Sequence, residues 1–169
     1  DDDCIPEKNF LKKYKKLFDL SKNKNIVISG SVDYNFNTTN KNFIKYRQSR
    51  HFKLKNDYNF DKNFLDPKRV VVMNMGFEKK IINKFNLFFD ERFNRYGFED
   101  FEFAFRLIKN KIKIISASPL VTHLDNRNFE TYLRKIKFIA FESSDYLIKI
   151  NPEAAKTNNF IKLENNFLF

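Results

Sequence analysis

Glycine, cysteine and tryptophan are nearly missing from this chain of 169 residues, which has three glycines, one cysteine and no tryptophan. So few glycines exclude the Gly-rich phosphate loops, whose tight turns and close backbone approach need residues without a Cβ. Cys4, standing alone, forms no internal disulfide and leaves the redox compartment open. No apolar run reaches the roughly eighteen residues of a membrane-crossing helix. With no tryptophan, and with phenylalanines at core-type spacing, there is no stacking stripe of the kind that grips single-stranded nucleic acid.

Charge and apolar residues are what the chain has in quantity. Hydrophobic residues make up 42% of it, enough at this length for one globular domain with its own core. The net charge of +11 suits a polyanionic partner or an anionic membrane. Two observations weaken that reading. Lys, Asn, Ile and Phe are in excess together, the set that AT-rich codons write. The lysines are also dispersed: Lys12-Lys13, Lys15-Lys16, Lys109 and Lys111 flank apolar positions, as solvated faces do.

Taken in order, Pro6 suits a first helical position, and Phe10, Leu11, Tyr14, Leu17 and Phe18 follow at helical spacing. Ile26-Val27-Ile28 reads as a buried strand ending at Ser29-Gly30-Ser31. The polar loop from Asn35 to Asn42 leads to Phe43, Ile44 and Tyr46, with Arg47, Arg50 and His51 interleaved as an exposed basic helix. Asn56 to Asp66 is a second polar loop, placed to fold over a site. After Pro67, Val70-Val71-Val72 predicts a core strand, then a turn through Asn74 and Gly76.

Ile112, Ile114 and Ile115 open a strand that runs to His123, and Pro119 places it at a sheet edge or breaks it. Tyr132, Leu133, Ile136, Ala140, Ser143, Leu147 and Ile150 mark one long amphipathic helix, ended by Asn151-Pro152. The domain is therefore taken as 1–152, with 153–169 a poorly ordered or truncated tail.

The most informative stretch runs from Asp90 to Leu107. Phe98, Phe101, Phe105 and Ile108 recur at helical spacing, which puts Glu99, Asp100 and Glu102 at the solvent-facing start of a helix. There the unpaired N–H groups and the positive dipole end stabilise carboxylates, and Gly97 supplies the entry turn. By itself this describes any acid-capped helix.

Three motifs in sequence make it more specific. Asp1-Asp2-Asp3-Cys4-Ile5-Pro6 comes first, then Phe93-Asn94-Arg95-Tyr96-Gly97-Phe98-Glu99-Asp100 with Arg106-Leu107 on the following helix, then Val121-Thr122-His123. Together they resemble the second half of the family 2 inverting glycosyltransferases. Those enzymes carry an Asp-x-Asp motif at a strand end, a large-Gly-large-Glu-Asp stretch opening an Arg-Leu helix, and a later His.

The resemblance implies a partial GT-A fold: α/β, with a mixed, mostly parallel sheet flanked by helices. The chain would be a fragment, the C-terminal portion of one catalytic domain without the strands that grip the nucleotide base. It further implies a divalent metal, Mn2+ or Mg2+, held by Asp1, Asp3 and His123, with Asp100 as general base and Glu99 holding the acceptor or the loop. Asp2, Asn74, Gly76, Tyr96 and Gly97 would lie toward the substrate, although Val72-Met73-Asn74 replaces the family's usual Gly-x-Asn. Arg92 and Arg95 would anchor the loop, the segment carrying Arg47, Arg50 and His51 would approach the acceptor, and Glu78 to Phe85 would supply the short helix that follows the family's Gly- and Asn-containing turn.

The chemistry is that of sugar transfer. A metal meets the charge developing on a departing diphosphate, and imidazole with carboxylates suits manganese and its neighbours. A single carboxylate base with no carboxylate nucleophile implies direct displacement with inversion. The implied partners are a nucleotide-diphosphate sugar of hexosyl or N-acetylhexosaminyl type and a glycan or lipid-linked glycan acceptor, as in polysaccharide or lipopolysaccharide synthesis. The implied setting is cytoplasmic, at the inner face of a membrane with a peripheral contact, and without nucleic acid. Two other classes compete: a two-metal phosphoryl-transfer or nuclease site on Asp1, Asp3, Glu99 and Asp100, and a basic nucleic-acid-binding module with no chemistry.

Overall fold

The computed structural model describes residues 2–21, 24–36, 40–49, 64–125 and 127–158. Asp1, Arg50, His51 and most of the expected second loop lie outside them.

Two long strands form the centre. β2 (Ile26–Phe36) and β4 (Lys113–Asp125) run parallel, with β1 (Cys4–Pro6) antiparallel to β4 on one side and β3 (Met75–Phe77) antiparallel to β2 on the other. The order β1-β4-β2-β3 is a mixed sheet flanked by helices. Among the described residues β2–β4, the longest ladder, pairs parallel, and the two short outer strands pair antiparallel.

β1 takes Pro6 into an edge strand, where a missing N–H breaks no ladder, and helix α1 (Phe10–Leu20) starts later than the sequence suggests. Tyr14 and Leu17 of α1 pack with Ile26, Ile28, Ile115 and Ala117, while Leu11 is exposed. A second core cluster gathers Val27, Ile112 and Ile114 with Ile81 and Ile82 of α3 (Lys79–Phe85) and Phe103, Ala104 and Leu107 of α4 (Glu99–Lys109).

Pro119 neither breaks β4 nor puts it at an edge. The β2–β4 register jumps between Ser29↔Ser116 and Ser31↔Leu120, so a bulge takes in the residue that has no donor. Polar side chains satisfy the carbonyls left over. Ser31 Oγ donates to the Ala117 carbonyl at 2.9 Å. Asn74 Nδ2 donates to the carbonyls of Ser31 and Pro119 at 2.8 and 2.9 Å, and Tyr14 Oη donates to Asn74 Oδ1 at 2.7 Å. A Cβ at Gly30 would overlap the Asn74 carboxamide, which is why the bulge has glycine there.

Val70-Val71-Val72 is not a strand. Two 3-10 turns, Pro67–Arg69 and Val72–Asn74, flank it; Val70 is buried in the core, and the Val72 N–H donates to Asp100 Oδ2 at 3.3 Å instead of to a ladder. The apolar triplet buries a connection rather than a strand.

The long C-terminal helix is present in segments: α5 (Phe129–Phe138), a π-helical segment Ile139–Ser143, and α6 (Ser144–Ile150). The tail reading is corrected at its start. Asn151 caps a further helix, α7 (Pro152–Thr157), whose Ala154 and Ala155 are buried against Phe101 and Leu147. Residues 159–169 lie outside the described ones. No described helix is long and apolar enough to cross a membrane.

Candidate functional site

The loop before α4 turns sharply. Gly97 has φ +116° and Phe98 φ +68°, the latter uncommon for a bulky residue and of the kind that collects at functional sites. The loop is fastened to the π-helical segment: Ser143 Oγ donates to the Tyr96 carbonyl at 2.6 Å, and Arg95 pairs with Glu142 at 2.7 Å. A Cβ at Gly97 would press on Ile139 and Ser143 at 3.0–3.4 Å. Arg92 closes a local pair with Asp90 at 2.6 Å, so both arginines anchor the loop.

The three acids at the start of α4 part ways. Glu99 Oε2 accepts from the Gly97 N–H at 2.6 Å and holds the loop. Glu102 is not at an open helix start. It is 2% exposed, bound by Arg106 Nε at 2.8 and 3.0 Å and by Asn151 Nδ2 at 2.9 Å. The sequence pattern missed this because α4 is covered on two sides, by Phe103, Ala104 and Leu107 facing one core cluster and Phe101 facing another, while Ile108 is exposed.

Asp100 remains. It lines a cavity of about 520 Å³ together with Tyr96, Gly97, Glu99, Tyr132 and Ile139, and its Oδ1 is shielded from water with no hydrogen-bond partner among the described residues. Burial, and then the charge of Glu99, push its carboxyl up to about 6, against the Val72 N–H and the Lys135 charge that favour ionisation. A carboxylate that titrates near neutrality at a cavity wall is suited to general-base work.

The first and third motifs meet. β1 and β4 pair Cys4 with His123, and the Leu124 N–H donates to the Asp3 carbonyl at 2.8 Å, which holds the turn before β1 against the end of β4. His123 Nε2 lies 3.2 Å from Asp3 Oδ2. Asp3, Cys4 and His123 offer three potential ligand atoms within 4.8 Å of one another, His123 buried and the other two half-exposed. Two donors each about 2.0–2.2 Å from one ion stand about 3.0–3.5 Å apart at octahedral or tetrahedral angles, so the Asp3–His123 separation fits a shared cation. Burial, then the Asp3 charge, raise the Cys4 thiol above its usual range, which keeps its sulfur protonated near neutral pH. Asp2 sits in the exposed turn ahead of β1.

Asn74 and Gly76 have packing roles in the sheet. Asn74 is 2% exposed, with both amide hydrogens and its oxygen engaged in the bulge, and Gly76 lies in β3 where a Cβ would overlap the Tyr14 ring. The Asn74 side chain is thus committed to the bulge, and Gly76 is half-exposed in β3.

Two residues outside the three motifs, Tyr34 and Arg47, lie against His123 and Tyr132 respectively. Tyr34, paired with His123 across β2 and β4, sets its ring 5.3 Å from the imidazole. Arg47, on α2 (Lys41–Ser49), is 9% exposed rather than on a solvated face; its guanidinium lies 4.7 Å from the ring centres of both Tyr34 and Tyr132. These residues line a cavity of about 170 Å³ that shares Lys68, Val71, Tyr96, Tyr132, Ile136 and Ile139 with the Asp100 cavity. The chain matches no family model, no curated protein and no solved structure.

Proposed function

We propose that the chain carries part of a metal-dependent, inverting sugar-transfer site, with Asp3 and His123 as metal ligands and Asp100 as the base that deprotonates the acceptor hydroxyl. What carries the reading is the 3.2 Å approach of Asp3 to His123, residues from the two ends of the motif series. An Asp-His pair with waters suits Mn2+ or Mg2+, and such an ion would supply charge for a departing diphosphate. Asp100, raised to about 6, takes up the proton as the hydroxyl attacks the anomeric carbon. Glu99 keeps the loop in register and raises the Asp100 carboxyl; Tyr96 and Gly97 form the cavity wall where an acceptor ring would rest.

The donor in this reading is a nucleotide-diphosphate sugar and the acceptor a glycan hydroxyl. The test is to incubate the protein with a panel of such donors and Mn2+ and follow nucleoside diphosphate release. Metal-dependent release that drops by about 10²–10⁴ in Asp100→Asn is the expected result. Mn2+-dependent cleavage of nucleic acid with no release from any sugar nucleotide would overturn it in favour of phosphoryl transfer.

A further inference from the structure

The turn before β1 and the end of β4 bring three kinds of donor to one spot. Asp3 offers oxygen, Cys4 sulfur and His123 nitrogen, with their ligand atoms all within 4.8 Å of one another. Strand pairing accounts for two of them. Backbone bonds join Leu124 to Asp3 and Glu7 to Leu120, so the alternation of an antiparallel ladder makes Cys4 and His123 a non-hydrogen-bonded pair. Side chains of such a pair stand closest, on one face of the sheet. Asp3 belongs to the turn and not to the strand, which frees its side chain from the strand's alternation.

The Asp3 carboxylate stands between the other two donors. Cys4 Sγ donates to its Oδ1 at 3.8 Å, and its Oδ2 is 3.2 Å from His123 Nε2. Donors bound to one tetrahedral ion at about 2.0–2.3 Å stand about 3.3–3.6 Å apart, and these two separations bracket that edge. None of the three has to lack a partner for this. They hold one another, and an ion replaces the thiol proton, which passes to the buffer, because a coordinating thiol is deprotonated outright. Cys4 packs against Val32, Tyr34 and Val121, an apolar shell that keeps the sulfur side of the site dry.

We propose that Cys4 is the third ligand of the metal site and that its sulfur makes this a zinc site in place of a manganese or magnesium one. Thiolate favours Zn2+, whereas Mn2+ and Mg2+ favour oxygen donors in octahedral sets. Three protein ligands leave a fourth tetrahedral position for water or a substrate oxygen, as in catalytic zinc sites and unlike closed structural ones. Asp3 and His123 are taken as ligands from the sugar-transfer reading, and in that respect alone the zinc assignment rests on it.

The experiment is titration of the metal-free, reduced protein with Co2+ as an optical stand-in for Zn2+. A sulfur-to-cobalt charge-transfer band should grow until each chain holds a single ion, and Zn2+ should abolish it where a large excess of Mn2+ does not. Cys4 is the only cysteine in the chain, so the band reports on that residue. Cys4→Ser should lose the band and weaken Zn2+ by more than about tenfold, since even outer-shell partners of a metal are worth about 10–100-fold. X-ray absorption by the zinc-loaded, unaltered protein needs no variant to fold. It should show one sulfur at about 2.3 Å, with nitrogen and oxygen at about 2.0–2.2 Å.

No binding of Co2+ or Zn2+, cobalt bound without the band, zinc surrounded by nitrogen and oxygen alone, or two sulfurs on an ion shared between chains overturns the proposal. Mn2+ binding seen by water-proton relaxation, alongside cobalt without the band, removes Cys4 and leaves sugar transfer standing. Sulfur-bound zinc with no nucleoside diphosphate released from any donor, in Zn2+ or in Mn2+, does the reverse.

Discussion

His123 Nε2 and Asp3 Oδ2 stand 3.2 Å apart because β1 pairs with the end of β4 and sets Cys4 opposite His123. A backbone register thus brings together two side chains from distant parts of the chain. If the pair holds Mn2+ as proposed, the ion at a hundred times its dissociation constant should stabilise the protein by about 2.7 kcal/mol, since the two ligands meet only in the folded chain. Thermal melts in Mn2+ and in EDTA measure this. His123→Ala and Asp3→Asn should each remove most of the shift, and an equal shift in the double variant would place the ion elsewhere.

In the sugar-transfer reading, Asp100 ties activity to pH. With its carboxyl raised to about 6, the base is ionised only above that pH, so the rate should rise through pH 6 and level off above about 7. Asp100→Asn should abolish the rise along with the activity. A rate independent of pH between 5 and 7 counts against the role.

The same shift sets a stability trend of opposite sense. In the unfolded chain Asp titrates near about 3.9, below its folded value, so between about pH 4 and 6 the folded state holds more protons and stability falls as pH rises. The penalty at neutral pH is at most about 3 kcal/mol, and smaller after solvent screening because the residue is only half-buried. Asp100→Asn should therefore be the more stable protein at pH 7, with the difference vanishing near pH 4. Melting both proteins across that range checks it.

Asn74→Ala separates a structural role from a substrate role. It removes the side-chain donor from the Ser31 and Pro119 carbonyls in a buried bulge and leaves the Tyr14 hydroxyl the longer bond to the residue 74 carbonyl at 3.3 Å, at a cost of about 1–3 kcal/mol for each group left unsatisfied. Denaturant unfolding should show the loss. In the sugar-transfer reading, nucleoside diphosphate release by the folded variant should stay unchanged, and a selective loss of release would return Asn74 to the site.

Gly97→Ala adds a Cβ where φ is +116° and where Ile139 and Ser143 leave 3.0–3.4 Å. The expected cost is about 1–3 kcal/mol, with the Asp100 cavity reshaped because Gly97 and Ile139 both line it. A substitution that melts like the parent protein would show that the loop can take another conformation.

Local pattern already determined much of this. Helical spacing marks α1, α4 and the segments from Phe129 to Ile150, and the apolar runs mark β2 and β4, because one turn or one strand carries its own periodicity. Acids at the start of α4 are equally legible. Their separate roles are not. Only packing decides that Glu102 is buried on Arg106 and Asn151, that Glu99 caps Gly97, and that Asp100 is left facing a cavity.

Pro119 misled for the same reason. A missing N–H predicts an edge when the strand is viewed alone, but the bulge that accommodates it is completed by Asn74 and Tyr14 from other elements. Arg47 likewise reads as a surface cation on a basic helix until Tyr34 and Tyr132 close around it. The sequence determined which segments are helix or strand and which residues carry charge. Tertiary structure alone decided which of those charges share a cleft, because burial and pairing depend on neighbours that are remote along the chain.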